Sequence, residues 1–256
     1  MGKSIAVASQ KGGVGKTTTV VNLAASLALE KAGILVLDND PQGNATSGLG
    51  LSRDQVSRSL YDVYTGRHTL EEVIIPTQMP SLYLAPSSID LLAVEIELVH
   101  REGREHILRA ALEPLKDRFD FILIDCPPSL GLLTLNGLVA ADSVVVPVQC
   151  EYYSLEGLSL LSRTLHLVRG SFNPTLEIEG IVLTMFDARN TLSHQVAAEV
   201  KKYFPDKIYE TQIPRNVTLG EAPSHGKPAI LYDSRSKGAQ SYLSLALEML
   251  YEKRTG

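Results

Sequence analysis

Lys11-Gly12-Gly13-Val14-Gly15-Lys16-Thr17-Thr18 decides how the rest of this 256-residue chain reads. An apolar run, Ser4-Ile5-Ala6-Val7-Ala8, precedes it. A helical pattern follows from Lys16 to Lys31, with Val20, Leu23, Ala24, Leu27 and Ala28 recurring at helical spacing. A strand, a glycine-rich turn and a helix in that order make a cradle for phosphate. Glycines let backbone N–H groups close around an anion, and the helix N-terminus adds its partial positive charge. In such a loop Lys16 reaches the β- and γ-phosphates and the Thr17 hydroxyl sits on Mg²⁺. The full pattern G-x-x-x-x-G-K-[ST] asks for glycine at position 10, where Gln10 stands. A second lysine, Lys11, opens the loop instead. Lys16 already serves the loop's own nucleotide, so Lys11 is either a solvated charge or a group reaching phosphates held by another subunit.

Working outward, Ile34-Leu35-Val36-Leu37 reads as a short buried strand that ends in Asp38-Asn39-Asp40-Pro41-Gln42-Gly43-Asn44. Phe121-Ile122-Leu123-Ile124 is a second such strand with Asp125 where it exits. Ligands collect at the carboxyl edge of open α/β sheets, so these aspartates face the cradle. Asp125 has the position of the Mg²⁺-organising aspartate of P-loop enzymes, and Pro127-Pro128 prevents a helix from starting at once behind it. Asp40 is placed either to orient the water that attacks the γ-phosphate or simply to close an Asx-turn before Pro41, with Asp38 competing for the catalytic role.

Further strands are expected at 82–86, 143–148, 178–183 and 207–213. Helices are expected at 89–98, 105–118, 130–141, 155–168, 194–204 and 239–253, with short helical pieces from 55 to 75. Strands alternating with helices imply right-handed crossovers and a mainly parallel twisted sheet covered on both faces. No linker breaks the series and no repeat is visible, so residues 1–256 read as a single α/β domain of the P-loop type.

Composition narrows the function. The net charge of −5 argues against a whole-surface nucleic-acid binder. Its distribution is uneven: from Arg189 onward ten Lys/Arg face seven Asp/Glu, against fourteen facing twenty-two before it. A polyanion surface is therefore expected within 189–256. Cys126 and Cys150 have no metal spacing and no disulfide framework, and read as core residues. There is no signal peptide and no apolar run of membrane-spanning length, so the chain reads as cytoplasmic.

Together the motifs resemble the ParA/MinD ATPases. The loop at 11–18 is similar to their deviant Walker A box, 38–44 to their second motif, and Ile124-Asp125-Cys126-Pro127-Pro128-Ser129 to their Walker B. Pro147-Val148-Gln149-Cys150-Glu151-Tyr152-Tyr153-Ser154-Leu155-Glu156-Gly157 resembles the chromosomal ParA (Soj) branch. So do Thr184-Met185-Phe186-Asp187-Ala188-Arg189, Ile213-Pro214-Arg215-Asn216-Val217, Glu221-Ala222-Pro223-Ser224-His225-Gly226-Lys227-Pro228 and Tyr232-Asp233.

The resemblance implies a Mg²⁺-dependent ATPase that forms an ATP-sandwich homodimer. Lys11 would touch the partner's nucleotide, and Asp40 would be the catalytic aspartate beside Lys11 and Lys16. The nucleotide would be held by 11–18 (Lys11, Gly12, Gly13, Val14, Gly15, Lys16, Thr17 and Thr18), with Pro214 and Asn216 at the adenine. Mg²⁺ would fall to Thr17, Asp40 and Asp125. The family's chromosomal members bind double-stranded DNA non-specifically as ATP dimers and are discharged by a ParB-type centromere-binding protein. Arg189 matches one DNA-contact arginine of the family; the position of another holds Thr218. Arg215, Lys227, Arg235 and Lys237, with Lys253 and Arg254, are the candidates to compensate. Nucleoid association follows from that reading. Asn39 stands where the family carries an apolar residue and is expected to loosen the strand end.

A MinD-like membrane ATPase is the competing reading, since Tyr242 to Tyr251 is apolar enough to raise it. Glu248 within that stretch and Glu252 directly after it favour packing on the sheet instead, and no stable membrane association is expected. A ParA-like ATPase moving a non-DNA cargo uses the same chemistry. A reductase like the nitrogenase iron protein needs cluster cysteines that this chain lacks.

Overall fold

The computed structural model describes residues 2–30, 32–151 and 154–255. In chain order these form β1 (Lys3–Val7), α1 (Lys16–Leu29), β2 (Ile34–Asp38), α2 (Asn44–Gly48), α3 (Leu60–Thr65), α4 (Leu70–Val73), β3 (Ile75–Pro76) and β4 (Leu82–Ala85). There follow α5 (Val94–Glu97), α6 (Ile107–Leu112), β5 (Phe121–Asp125), α7 (Leu132–Ala140), β6 (Ser143–Gln149) and α8 (Ser154–Ser171). The chain closes with β7 (Glu177–Thr184), α9 (Thr191–Tyr203), α10 (Val217–Glu221), α11 (Ala229–Tyr232) and α12 (Lys237–Thr255).

The seven strands lie in the order β3-β4-β2-β5-β1-β6-β7. Every pairing is parallel except that of β3 with β4. Side chains alternate across the sheet, as strand geometry requires. Ile5, Val7, Ile34 and Val36 pack with α1 and α12 on one face, while Ala6, Ala8, Leu35 and Leu37 pack with α3, α6, α7 and α8 on the other. The central strands are buried on both faces, which is why they read as unbroken apolar runs. The register sets Val7 and Asp38 opposite Asp125, so three strand ends meet at one edge.

The apolar side of α12 is spent within the protein. Tyr242, Leu245, Ala246 and Met249 are buried against α1, and the hydroxyls of Tyr242 and Thr19 lie 3.1 Å apart. Among the described residues, no helix is long and apolar enough to cross a membrane.

Three expectations need correction. Residues 207–213 do not form a strand. They touch the β7 edge through Tyr209 N to Ile181 O (3.1 Å) and Ile213 N to Leu183 O (2.9 Å), but Glu210 N and Thr211 N instead donate to the Glu248 carboxylate at 2.6 and 3.0 Å. That carboxylate draws the middle of the segment onto α12. The helix expected over 105–118 is regular only across α6, because Pro114 lacks the N–H that would continue it. Asn39 tightens its strand end: its Nδ2 donates to Leu133 O at 2.7 Å and its Oδ1 accepts from the Tyr64 hydroxyl at 2.9 Å, all buried.

Candidate nucleotide site

The loop between β1 and α1 has the backbone that its glycines imply. Gly13 and Gly15 take φ of 74° and 91°, a region costly for residues with a Cβ. Gly15 caps α1 without any side-chain hydrogen bond, so the first N–H groups of a 14-residue helix remain open to an anion. Behind the loop, the Thr184 hydroxyl at the end of β7 donates to Val14 O at 2.8 Å and pins the turn to the sheet.

The two loop lysines go opposite ways. Lys16 is buried, and its Nζ donates to Lys11 O at 3.2 Å across the mouth of the loop. Burial lowers its pKa, and the nearby Asp125, Cys126 and Asp40 partly offset that. Lys11 is half-exposed, with its Nζ 3.1 Å from Glu151 Oε2 at the surface. Gly12 and Gly13 beside it are exposed, and a Cβ at either would meet nothing within 4 Å.

Three aspartates close the edge. Asp38 accepts from Thr46 N and Thr46 Oγ1, both at 2.6 Å, and is a structural post. Asp40 forms the Asx-turn, its Oδ1 accepting from Gln42 N at 2.9 Å. It also lies close enough to Lys16 and Asp125 to act on both electrostatically. The turn thus occupies one carboxylate oxygen and leaves the second for chemistry, while Asp38 has its oxygens committed to Thr46 and the Asp40 N–H. Ser87 steadies the loop by donating to Asp40 O at 2.5 Å.

Asp125 differs from both. Its two oxygens are buried and neither makes a hydrogen bond, although the Thr17 hydroxyl is close enough to favour its charged form. Burial, followed by the neighbouring Asp38, pushes its pKa well up. A carboxylate in that state needs a cation. Thr17 and Asp125 thus fit a divalent ion, with Asp40 at the same edge.

Beyond the loop a cleft of 1290 Å³ opens between β7, α9 and α12. Pro214 and Asn216 line it, and Asn216 Oδ1 is buried without a partner, an acceptor suited to an exocyclic amine. Arg189, Arg215 and Lys237 line the same cleft; Lys227 and Arg235 are exposed elsewhere. Arg189 is held at both ends by Asp187, at 3.1 Å from Nε and from Nη2. Tyr152 and Tyr153 lie outside the described residues, as do the side chains of Lys253 and Arg254.

Sequence reasoning passed over Thr184, Ser87 and Asn22. Asn22 Nδ2 donates to Thr18 O at 2.8 Å and its Oδ1 accepts from Ala229 N at 2.7 Å, tying α1 to α11. Thr184 ends an apolar strand and opens the 184–189 motif, but neither signal gave it a role; polar residues inside a helix, or after Pro86, carry none.

A family model described as an AAA domain matches residues 2–178. The chain is 57% identical over 249 residues to the sporulation initiation inhibitor protein Soj of Bacillus subtilis, covering 97% of this chain and 98% of that protein. It is 52% identical over 250 residues to the chromosome partitioning protein ParA of Myxococcus xanthus, covering 98% and 88% respectively. Among solved structures it superposes with a TM-score of 0.88 on a cobyrinic acid a,c-diamide synthase from Mycobacterium smegmatis with bound ATP analog and magnesium, at 37% identity and with 100% and 97% of the two chains covered. On these full-length identities the chain belongs to the ParA/Soj family of chromosome-partitioning ATPases.

Proposed function

We propose that this chain is a DNA-segregation switch: two copies close face to face on two Mg²⁺·ATP, bind DNA without regard to sequence, and separate when the γ-phosphate is hydrolysed. One observation carries this reading. The same loop points one lysine, Lys16, into the protein and presents the other, Lys11, at the surface beside two exposed glycines, Gly12 and Gly13. A single nucleotide uses the first; the second, held at the surface by Glu151, can exchange that ion pair for a nucleotide across an interface.

Within each copy, Lys16 and the open N–H groups of α1 hold the β- and γ-phosphates. Thr17 and Asp125, with Asp40, hold the cation, and Asp40 orients the attacking water through the oxygen that its Asx-turn leaves over. Pro214 and Asn216 receive the adenine. The bound metal supplies charge neutralisation for the leaving phosphate.

The DNA contact is assigned to Arg189, Arg215 and Lys237, which share one rim, with Lys227 and Arg235 outlying. Such contacts neutralise phosphates and weaken steeply with salt. A ParB-type partner is assigned the release step, and the nucleoid is the expected location. Measuring binding to double-stranded DNA of unrelated sequences, with ATP, ADP or no nucleotide across a salt series, tests the reading. ATP-dependent, sequence-blind and salt-sensitive binding supports it; binding indifferent to nucleotide, or ATP-dependent binding to anionic vesicles instead, rejects it.

A further inference from the structure

The segment that carries Pro214 and Asn216 is held at both ends by α12. At its start the Glu248 carboxylate takes two successive backbone N–H groups, from Glu210 at 2.6 Å and Thr211 at 3.0 Å, one on each oxygen. At its far end the Asn216 carboxamide lies over Gly238, where a Cβ would come within 2.9 Å of Asn216 Oδ1 and 2.6 Å of Leu219 Cγ. Only glycine leaves that space. Between the two ends the segment is bonded to β7 and the turn after it: Ile213 N donates to Leu183 O at 2.9 Å, and Phe186 N to Ile213 O at 3.0 Å. Thr211, Pro214 and Asn216 all line the cleft beyond the phosphate loop.

The lengths agree. Gly238 and Glu248 stand ten residues apart on α12, a rise of about 15 Å. Thr211 and Asn216 are five residues apart, which an extended chain spans in about 17 Å. A segment pinned at both places is stretched along the helix, and losing either pin gives it slack.

The chemistry of residue 248 suits this task. Successive N–H groups of a strand point to opposite sides, so a chain that gives both to one carboxylate leaves the sheet at that point. Both oxygens of a carboxylate accept, and hydrogen bonds to a charged acceptor are about twice as strong as neutral ones. A glutamine at 248 has one acceptor oxygen, and its other end would set an N–H against an N–H.

We propose that Glu248 and Gly238 are positioning residues of the base site. They hold residues 210–216 in the conformation that receives adenine before the nucleotide arrives, so that binding does not have to order the segment. The proposal rests on the ATPase reading and on the assignment of Pro214 and Asn216 to adenine. It concerns the base alone, because the phosphates are assigned to the loop and α1. Inorganic tripolyphosphate, which has the phosphates without the base, is therefore the control ligand. Binding of Mg²⁺·ATP and of Mg²⁺·tripolyphosphate to the full chain is measured by calorimetry, with turnover and hydrogen exchange alongside.

The unaltered chain should bind ATP more tightly than tripolyphosphate. Glu248→Ala and Gly238→Ala should each raise the Kd and KM for ATP about tenfold, and Glu248→Gln about threefold. In all three, kcat and the affinity for tripolyphosphate should stay within about twofold of the unaltered chain. In Glu248→Ala, exchange across 212–216 should be faster without nucleotide and return to the unaltered rate at saturating ATP. Met249→Ala removes a buried side chain next along the same helix; it should lower stability and leave the ratio of the two affinities as it was. If Glu248→Ala does not fold, the other two variants carry the test. An unchanged Kd for ATP despite faster exchange, an equal loss for both ligands, a fallen kcat, or the same loss in Met249→Ala overturns the proposal. An unaltered chain that binds the two ligands equally rejects the adenine assignment, one that binds neither rejects the ATPase reading, and the proposal falls with either.

Discussion

Lys11 Nζ lies 3.1 Å from Glu151 Oε2, and Glu151 Oε1 in turn accepts from Gln149 Nε2 at 2.5 Å. The lysine assigned to a neighbour's nucleotide is thus held on its own subunit, and it must leave Glu151 before it can cross an interface. An exposed ion pair of this kind is worth at most about 1 kcal/mol. One such pair is released by each of the two subunits, so Glu151→Gln should tighten the ATP-dependent dimer by no more than about 25-fold. Sedimentation velocity at limiting concentration reads this; a weaker dimer would mean that Glu151 itself contributes to the contact.

Gly12 separates folding from assembly. Its backbone is outside the left-handed region, and a Cβ there meets nothing within the subunit. Gly12→Val should fold normally and keep nucleotide binding by calorimetry, but fail to dimerise because the new side chain stands in the approach path. Normal dimers would contradict a face-to-face arrangement through this loop.

Asp40→Ala removes the group assigned to the attacking water and leaves Lys16 and Asp125 in place. Turnover should fall by about 10²- to 10⁴-fold, the usual range for a positioned acid–base group. ATP should still bind, and the protein should accumulate as dimer. The change removes the Asx-turn bond to Gln42 N, but Ser87 Oγ and Gly43 N still bond the carbonyl of residue 40 and anchor the loop. Turnover within a few-fold of the unaltered chain would transfer the role elsewhere.

Asn39→Ala should destabilise the fold by about 2 kcal/mol, because the Tyr64 hydroxyl is left buried without its partner and Leu133 O, inside α7, loses the second of the bonds it accepts. Tyr64→Phe removes only one of the two bonds and should cost about 1 kcal/mol. Urea unfolding of both variants gives the comparison. A neutral Asn39→Ala would mean that the strand end tolerates its loss.

Much of the edge chemistry was legible because it is written in contiguous residues. The strand–loop–helix order around Lys16 and the acidic exits of two apolar strands each follow from local pattern, and the register then brings Asp38, Asp125 and Val7 together. Long-range competition for backbone groups was not legible. Glu248 takes the N–H groups of residues 210 and 211 from a position 37 or 38 residues away, which no local window contains. Thr184 acts on Val14 across 170 residues, and Asn39 reads as a misfit until Tyr64 and Leu133 close around it. The basic rim was half legible: charge counting located its quarter of the chain but not which arginines share a cleft.

The central claim is that ATP joins two copies through Lys11. Sedimentation equilibrium of the chain with Mg²⁺·ATP, with Mg²⁺·ADP and without nucleotide tests it most directly, using Lys16→Ala as the variant that cannot hold the phosphates. The account predicts a dimer with ATP alone and a monomer in the other two conditions and in the variant. A monomer throughout, or a dimer equally populated in all conditions, would contradict it.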